Sequence, residues 1–281
     1  MFIQSLGPFA LNGEGTSAAP SAPKQRQTLA MLAIHANRLV SAATLIQEIW
    51  GERAPRSSQA TLQAYVARIR RFLSEQLGLP LTQIARSVLT TENSGYMLHW
   101  DAALLDHRRF ESVAGLGRQA LAAGRTEEAA RLLGSALELW RDRALGNVRH
   151  GPLLEIQVHR LETLRLAVAE QRYDLDLQLG RHYEVLAELT ELADQNPLNE
   201  TVQGLLIKAL VRTGKRSEAL QTYEVMRARL AIEVGLGPSP QIAALQRRIL
   251  SAAEFAPRTR EVHSAATDHA VPCASAGQGQ P

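Results

Sequence analysis

The sequence predicts a mainly α-helical protein with a small β component, in which an N-terminal winged helix-turn-helix precedes an α-helical tetratricopeptide-like repeat array. Three observations carry this expectation. The first hundred residues read as three amphipathic helices followed by a hairpin, and helical periodicity then runs almost unbroken from Asp106 to Phe255. Related glycine-centred segments recur at Gly124, Gly180 and Gly214, and the last two glycines lie 34 residues apart, the period of a helix-turn-helix repeat. The expected units are residues 1–100, residues 101–255, and a disordered tail from 256 to 281 that lacks periodicity.

At the N-terminus, Phe2, Ile3, Leu6, Phe9 and Leu11 surround Gly7-Pro8, predicting two short strands around a turn. Asn12 to Ala22 reads as loop. Pro23 suits the first position of a helix, which continues through Ala36 with Leu29, Leu32 and Ala33 on one side, and Asn37 ends it in a left-handed conformation. Ser41 caps a second helix with a Leu45, Ile46, Ile49 stripe, and Gly51 stops it after Trp50. Ser57 or Ser58 then caps a longer helix to about Leu77, whose Leu62, Tyr65, Val66, Ile69, Phe72 and Leu73 follow the i, i+3, i+4, i+7 rule. Ile84 to Thr90 and Tyr96 to Trp100 read as strands flanking a hairpin tip at Glu92-Asn93-Ser94-Gly95.

In the repeats, glycine supplies the turn and a small residue five positions later lets paired helices approach. Ala129 and Ala219 fit, whereas Val185 departs. Gly124 and Gly180 lie 56 residues apart, which implies an insertion plus an extended helix from about Leu153 to Leu179. A last helix, Gln241 to Ala253, caps the stack. Trp50, Trp100 and Trp140 close amphipathic segments and read as core anchors.

Composition bounds the function. With 45% hydrophobic and 21% charged residues in 281, the chain is that of a globular protein of two domains. No apolar run reaches the roughly 18 residues of a membrane span, and Met1 to Leu6 lacks the features of a secretion signal, so a cytoplasmic location is expected. A single cysteine, Cys273, allows neither an internal disulfide nor a thiolate metal cluster. The eight histidines show no zinc spacing. Gly115-Leu-Gly117 is a fragment of a dinucleotide loop that follows no strand, and Gly214-Lys215-Arg216-Ser217 has Ala209 where a phosphate loop needs its first glycine. No enzyme, metal or cofactor is expected.

The chemistry points to DNA. Residues 1–100 hold 9 Lys/Arg against 5 Asp/Glu, while the remainder holds 22 against 23. On the third helix, a 100° step per residue places Ala60, Ala64, Arg68 and Arg71 opposite the apolar side, with Thr61 and Tyr65 at its border. Small residues permit close approach to a major groove, threonine meets base edges, and Arg68 offers a bidentate fork to guanine. Arg56, Arg70 and Arg71 are placed for phosphates. Lys24 and Arg26 sit in the first turn of the first helix, where open N–H groups and cations together hold an anion, although a solvated helix start explains them equally. Arg86, on the strand before the hairpin tip, is a further backbone candidate. The tip carries no cation, and Gly95 allows close passage over a groove.

Taken together, Pro23-Lys-Gln-Arg26, Leu39-Val-Ser41, Leu45-Ile-Gln-Glu-Ile-Trp-Gly51, Thr61-Leu-Gln-Ala-Tyr-Val-Ala-Arg-Ile-Arg70, Gly95-Tyr96 and Gly235-Leu-Gly-Pro-Ser-Pro240 resemble the Streptomyces antibiotic regulatory protein family, from Phe2 to about Phe255. The resemblance implies an OmpR-type winged helix joined to a bacterial transcriptional activation domain, activating a secondary-metabolite gene cluster from direct repeats near the promoter −35 region. It implies RNA polymerase as a partner and self-association on DNA. Residue by residue it gives base reading to Thr61, Ala64 and Arg68, and phosphate contacts to Lys24, Arg26, Arg56, Tyr65 and Arg70. The loop from Gly51 through Glu52 and Arg53 to Arg56 would face the polymerase. The chain departs from the family at Glu92-Asn93-Ser94, where a basic wing residue is usual, and at Asn37, where glycine is common. The competing reading is a repeat scaffold for protein partners whose N-terminal domain lacks DNA specificity.

Overall fold

A computed structural model describes residues 1–13 and 15–251. The expected tail, Cys273 and the end of the last helix lie outside them. The chain opens with β1 (Phe2–Gln4), β2 (Ala10–Gly13) and β3 (Thr16–Ala18), an antiparallel sheet in that order with Ile3 opposite Leu11 and Leu11 opposite Ala18. β3 falls in the segment expected as loop. Its sequence has no apolar alternation, and pairing to β2 supplies what propensity does not.

Helix α1 (Pro23–Ile34) begins on proline as expected, and Asn37 turns the chain at φ 63°. The Asn37 amide explains why asparagine serves here: Nδ2 donates to the Trp100 carbonyl at 2.7 Å while Oδ1 accepts the Trp100 N–H at 3.1 Å. β4 (Val40–Ser41) leads into α2 (Ala42–Trp50), capped by the Ser41 hydroxyl, which accepts the Thr44 N–H at 3.0 Å. α3 (Ser58–Leu77) buries Leu62, Val66, Ile69 and Leu73. The expected strand from Ile84 is a correction: α4 (Leu81–Gln83) runs into a π-helical turn at Ile84–Val88, and β5 starts only at Leu89. Ile84 and Leu89 are both fully buried, and a helical turn buries them as well as a strand would. β5 (Leu89–Glu92) and β6 (Gly95–Leu98) form the wing, with β6 central in the order β4-β6-β5.

The remaining elements are α5 (Asp106–Ala122), α6 (Thr126–Leu137), α7 (Pro152–Gln178), α8 (His182–Gln195), α9 (Glu200–Arg212), α10 (Arg216–Arg229) and α11 (Pro240–Leu250). Gly124, Gly180 and Gly214 follow α5, α7 and α9 at φ 74°, 83° and 81°, left-handed turns that join each helix to its antiparallel partner. Ala129, Val185 and Ala219 are buried where the paired helices meet, so valine is accommodated in the middle repeat. The fold is mainly α, a winged helix followed by a tetratricopeptide-like array.

Hydrophobic packing does not divide at residue 100. One core runs from Ile3 and Phe9 through Leu29 and Leu62 to Phe110, Leu133 and Leu161, and a second gathers Ala169, Tyr173, Leu189, Leu206, Tyr223 and Ile249. α7 belongs to both. The seam inside the first core is polar and buried. Asp106 accepts the Ser5 N–H at 2.9 Å, the Leu6 N–H at 3.0 Å and the Ser5 hydroxyl at 2.6 Å. The insertion that breaks the repeat period is a strap across this seam. Arg141 N–H donates to Leu6 O, Leu145 N–H to Ser5 O, and the Asn147 side chain pairs with both the N–H and the carbonyl of Phe9. Among the described residues, no helix is long and apolar enough to cross a membrane, and no group of His, Cys, Asp or Glu could hold a metal ion.

Candidate nucleic-acid interface

α3 is amphipathic in the sense a groove-binding helix requires. Its inward stripe anchors it, while Ala60, Ala64, Arg68 and Arg71 are all exposed, together with Gln59, Gln63 and Ala67. Arg68 and Arg71 make no hydrogen bond or ion pair among the described residues, so both guanidinium groups stand free. Thr61 is half-buried and its hydroxyl donates to the Ser57 carbonyl at 2.9 Å, which leaves its methyl and an oxygen lone pair for a ligand. Ser57 occupies the cap position without a side-chain bond, and the Ser58 N–H donates to the Pro55 carbonyl at 2.9 Å, so the N–H groups of Gln59 and Ala60 are the first-turn donors of α3 left open beside the exposed Arg56. Sequence reasoning missed Gln59 and Gln63. Both glutamines share the exposed face, and their amides have the donor-acceptor pair that matches adenine.

Tyr65 and Trp50 form a platform that periodicity alone did not reveal. Their rings stack with centroids 5.9 Å apart and planes 14° apart, and the Lys24 ammonium lies 4.8 Å from the Trp50 ring centroid. Trp50 is therefore more than a core anchor: it gathers a cation from α1 and a phenol from α3 at a half-exposed site. α1 also lacks a side-chain cap, so Lys24 stands near open N–H groups.

Two expected phosphate ligands are occupied. Arg26 donates to the carbonyls of Pro20 at 2.9 Å, Asn147 at 2.9 Å and Ser21 at 3.3 Å, so it ties α1 to the strap instead of standing free. Arg70 donates through Nε and one Nη to Leu89 O at 2.9 and 2.8 Å and to the Thr91 hydroxyl at 2.8 Å. It braces the wing against α3, and burial lowers its pKa from the ordinary value. Arg86 sits in the π-helical turn, not on a strand, and is exposed. Gly95 is buried: a Cβ there would lie 2.2 Å from the Val40 carbonyl, so glycine serves the close pairing of β6 with β4, not passage over a groove. Glu92, Asn93 and Ser94 are exposed at the wing tip. Between α2 and α3, Gly51 turns at φ 59°, and Glu52, Arg53 and Arg56 project from an exposed loop.

Two family models match this chain: "Transcriptional regulatory protein, C terminal" over residues 17–98, and "Bacterial transcriptional activator domain" over residues 105–250. Regulatory protein DnrI of Streptomyces peucetius is 38% identical over 252 residues, covering 90% of this chain and 93% of that protein. Regulatory protein AfsR of Streptomyces griseus is 36% identical over 249 residues, 89% of this chain but only 24% of that longer protein. The solved structure of Mycobacterium tuberculosis EmbR, in complex with a low-affinity phosphopeptide, aligns with a TM-score of 0.79 and 32% identity over 89% of this chain and 65% of that one. With its free-faced third helix, its wing and its repeat array, the chain belongs to the Streptomyces antibiotic regulatory protein family, DNA-binding transcriptional regulators that join an OmpR-type domain to a bacterial transcriptional activator domain.

Proposed function

We propose that this protein is a sequence-specific activator of a secondary-metabolite gene cluster, binding direct repeats near the promoter −35 region and recruiting RNA polymerase. The observation that carries the reading is the outer face of α3, where small residues and two unpaired arginines stand on a rigidly anchored helix. Base reading falls to Thr61, Ala64 and Arg68, with Gln63 added from the shared exposed face. Phosphate contacts fall to Lys24, Arg56, Tyr65, Arg71 and Arg86, and Arg70 contributes through the brace it makes to the wing. Arg26 is reassigned to the seam between α1 and the strap. Gly51, Glu52 and Arg53 form the polymerase-facing loop, and neighbouring copies associate on adjacent repeats.

Footprinting across the intergenic regions flanking the protein's own gene tests this directly. The expected result is a protected pair of direct repeats spaced by about one helical turn, roughly 10–11 bp. No protection at moderate salt would instead favour a repeat scaffold without DNA specificity.

A further inference from the structure

Glu48, in the last turn of α2, is 2% exposed and has no cationic partner among the described residues. Its carboxylate is satisfied across the seam. Oε1 accepts the Gly151 N–H at 2.7 Å and the Gln27 amide at 3.1 Å, and Oε2 accepts the N–H groups of Leu153 at 2.8 Å and Leu154 at 3.1 Å. These are the open donors at the start of α7, where Pro152 has no N–H to offer. Gly151 stands at the cap position without a side chain, and a Cβ there would lie 1.9 Å from the Glu48 carbonyl. The cap of α7 is thus supplied by α2, and the negative charge meets the positive end of a 27-residue helix dipole.

We propose that Glu48 is a positioning residue that couples the repeat array to the DNA-facing and polymerase-facing surface. The proposal rests on the function proposed above. Two residues after Glu48, Trp50 holds Lys24 and Tyr65, and Gly51–Arg53 begin the exposed loop, so the start of α7 fixes the turn from which both surfaces hang. α3 has its own anchors in Leu62, Val66, Ile69 and Leu73. The coupling therefore acts on phosphate grip and activation, not on base selectivity. At its other end α7 enters the second core, which gives the repeats a lever on the joint.

The test uses full-length Glu48→Gln and Gly151→Ala proteins. Glutamine places an N–H₂ against backbone donors, and alanine breaches the joint from the repeat side by pressing its Cβ on the Glu48 carbonyl of α2, leaving every DNA-facing side chain as it is. Both are expected to weaken cognate and random DNA by the same factor, about fivefold at ~0.15 M salt, as for one lost phosphate contact. Both should lower transcription at saturating occupancy, and the double variant should be no worse than either single one. Faster hydrogen exchange at Leu153 and Leu154 with unchanged affinity and transcription would overturn the proposal, as would a loss confined to cognate DNA. Should either variant fail to fold, exchange in the wild-type protein decides. Linkage requires that random-sequence DNA, which needs no cognate site, slow exchange at Leu153 and Leu154. Unchanged exchange on saturation with that DNA would overturn the coupling even if footprinting succeeds.

Discussion

The Trp50 indole and the Tyr65 phenol ring stack with their centroids 5.9 Å apart, joining the last residue of α2 to the middle of α3. The pair fixes the crossing of the two helices at the half-exposed edge where Lys24 arrives from α1. An ammonium over an indole is held electrostatically without being neutralised, so its charge remains available to a phosphate.

Lys24→Ala is accordingly expected to weaken binding to every DNA sequence alike and to lower the slope of log K against log salt by about one. Trp50→Ala should reproduce that change, because it removes the surface on which the cation rests. Salt titrations of both variants on cognate and random duplexes check this. A slope equal to the wild-type value would remove Lys24 from the phosphate contacts.

Asp106 sets a second expectation. Burial raises its pKa above the usual carboxylate value although hydrogen bonds from Ser5 and Leu6 oppose the shift. Asp106→Ala strands the Ser5 and Leu6 N–H groups in the seam and should cost about 3 kcal/mol, from roughly 1–3 kcal/mol for each buried donor left open. Asp106→Asn keeps one acceptor and should cost less. Chemical denaturation of the two variants measures the difference, and equal, negligible losses would show that the seam does not depend on this carboxylate.

His107 gives a dependence on pH. Its Nδ1 lies 3.0 Å from the Ser5 hydroxyl, which itself donates to Asp106, so Nδ1 carries the proton and Nε2 is buried without a partner. Burial first, then Arg108, lowers the pKa from 6.5 to about 4. The folded state therefore holds the ring neutral while the unfolded chain binds a proton. The resulting stability is complete above about pH 6.5 and is lost as pH falls towards 4, at about 1.4 kcal/mol per pH unit. The raised pKa of Asp106 acts in the opposite direction at the acidic end. Unfolding measured from pH 6.5 to 4.5 should fall more steeply for wild type than for His107→Asn, and parallel curves would mean that the imidazole is not held neutral.

Local signals in the sequence were the ones that could be read. Ser41, Asn37, Pro23 and the repeat glycines act within a few residues of themselves, and the structure uses each as expected. β3 and β4 exist only through partners on other strands, and the apolar residues Ile84 and Leu89 fit either a strand or a helical turn. Arg26 illustrates the same limit at the site. Its position in a first turn suggested a phosphate, yet one of the carbonyls that occupies it belongs to Asn147, 121 residues away. Glu48 reads in sequence as an ordinary helix residue, because the donors it caps lie more than a hundred positions downstream.

Sequence reading by the free face of α3 requires the specificity ratio to fall in Arg68→Ala. Affinities for the footprinted site and for random DNA, measured at one salt concentration, should show a loss of about 1–3 kcal/mol on the cognate site and little change on random DNA. An equal loss on both would contradict base reading by Arg68 and leave the helix as a phosphate-binding surface.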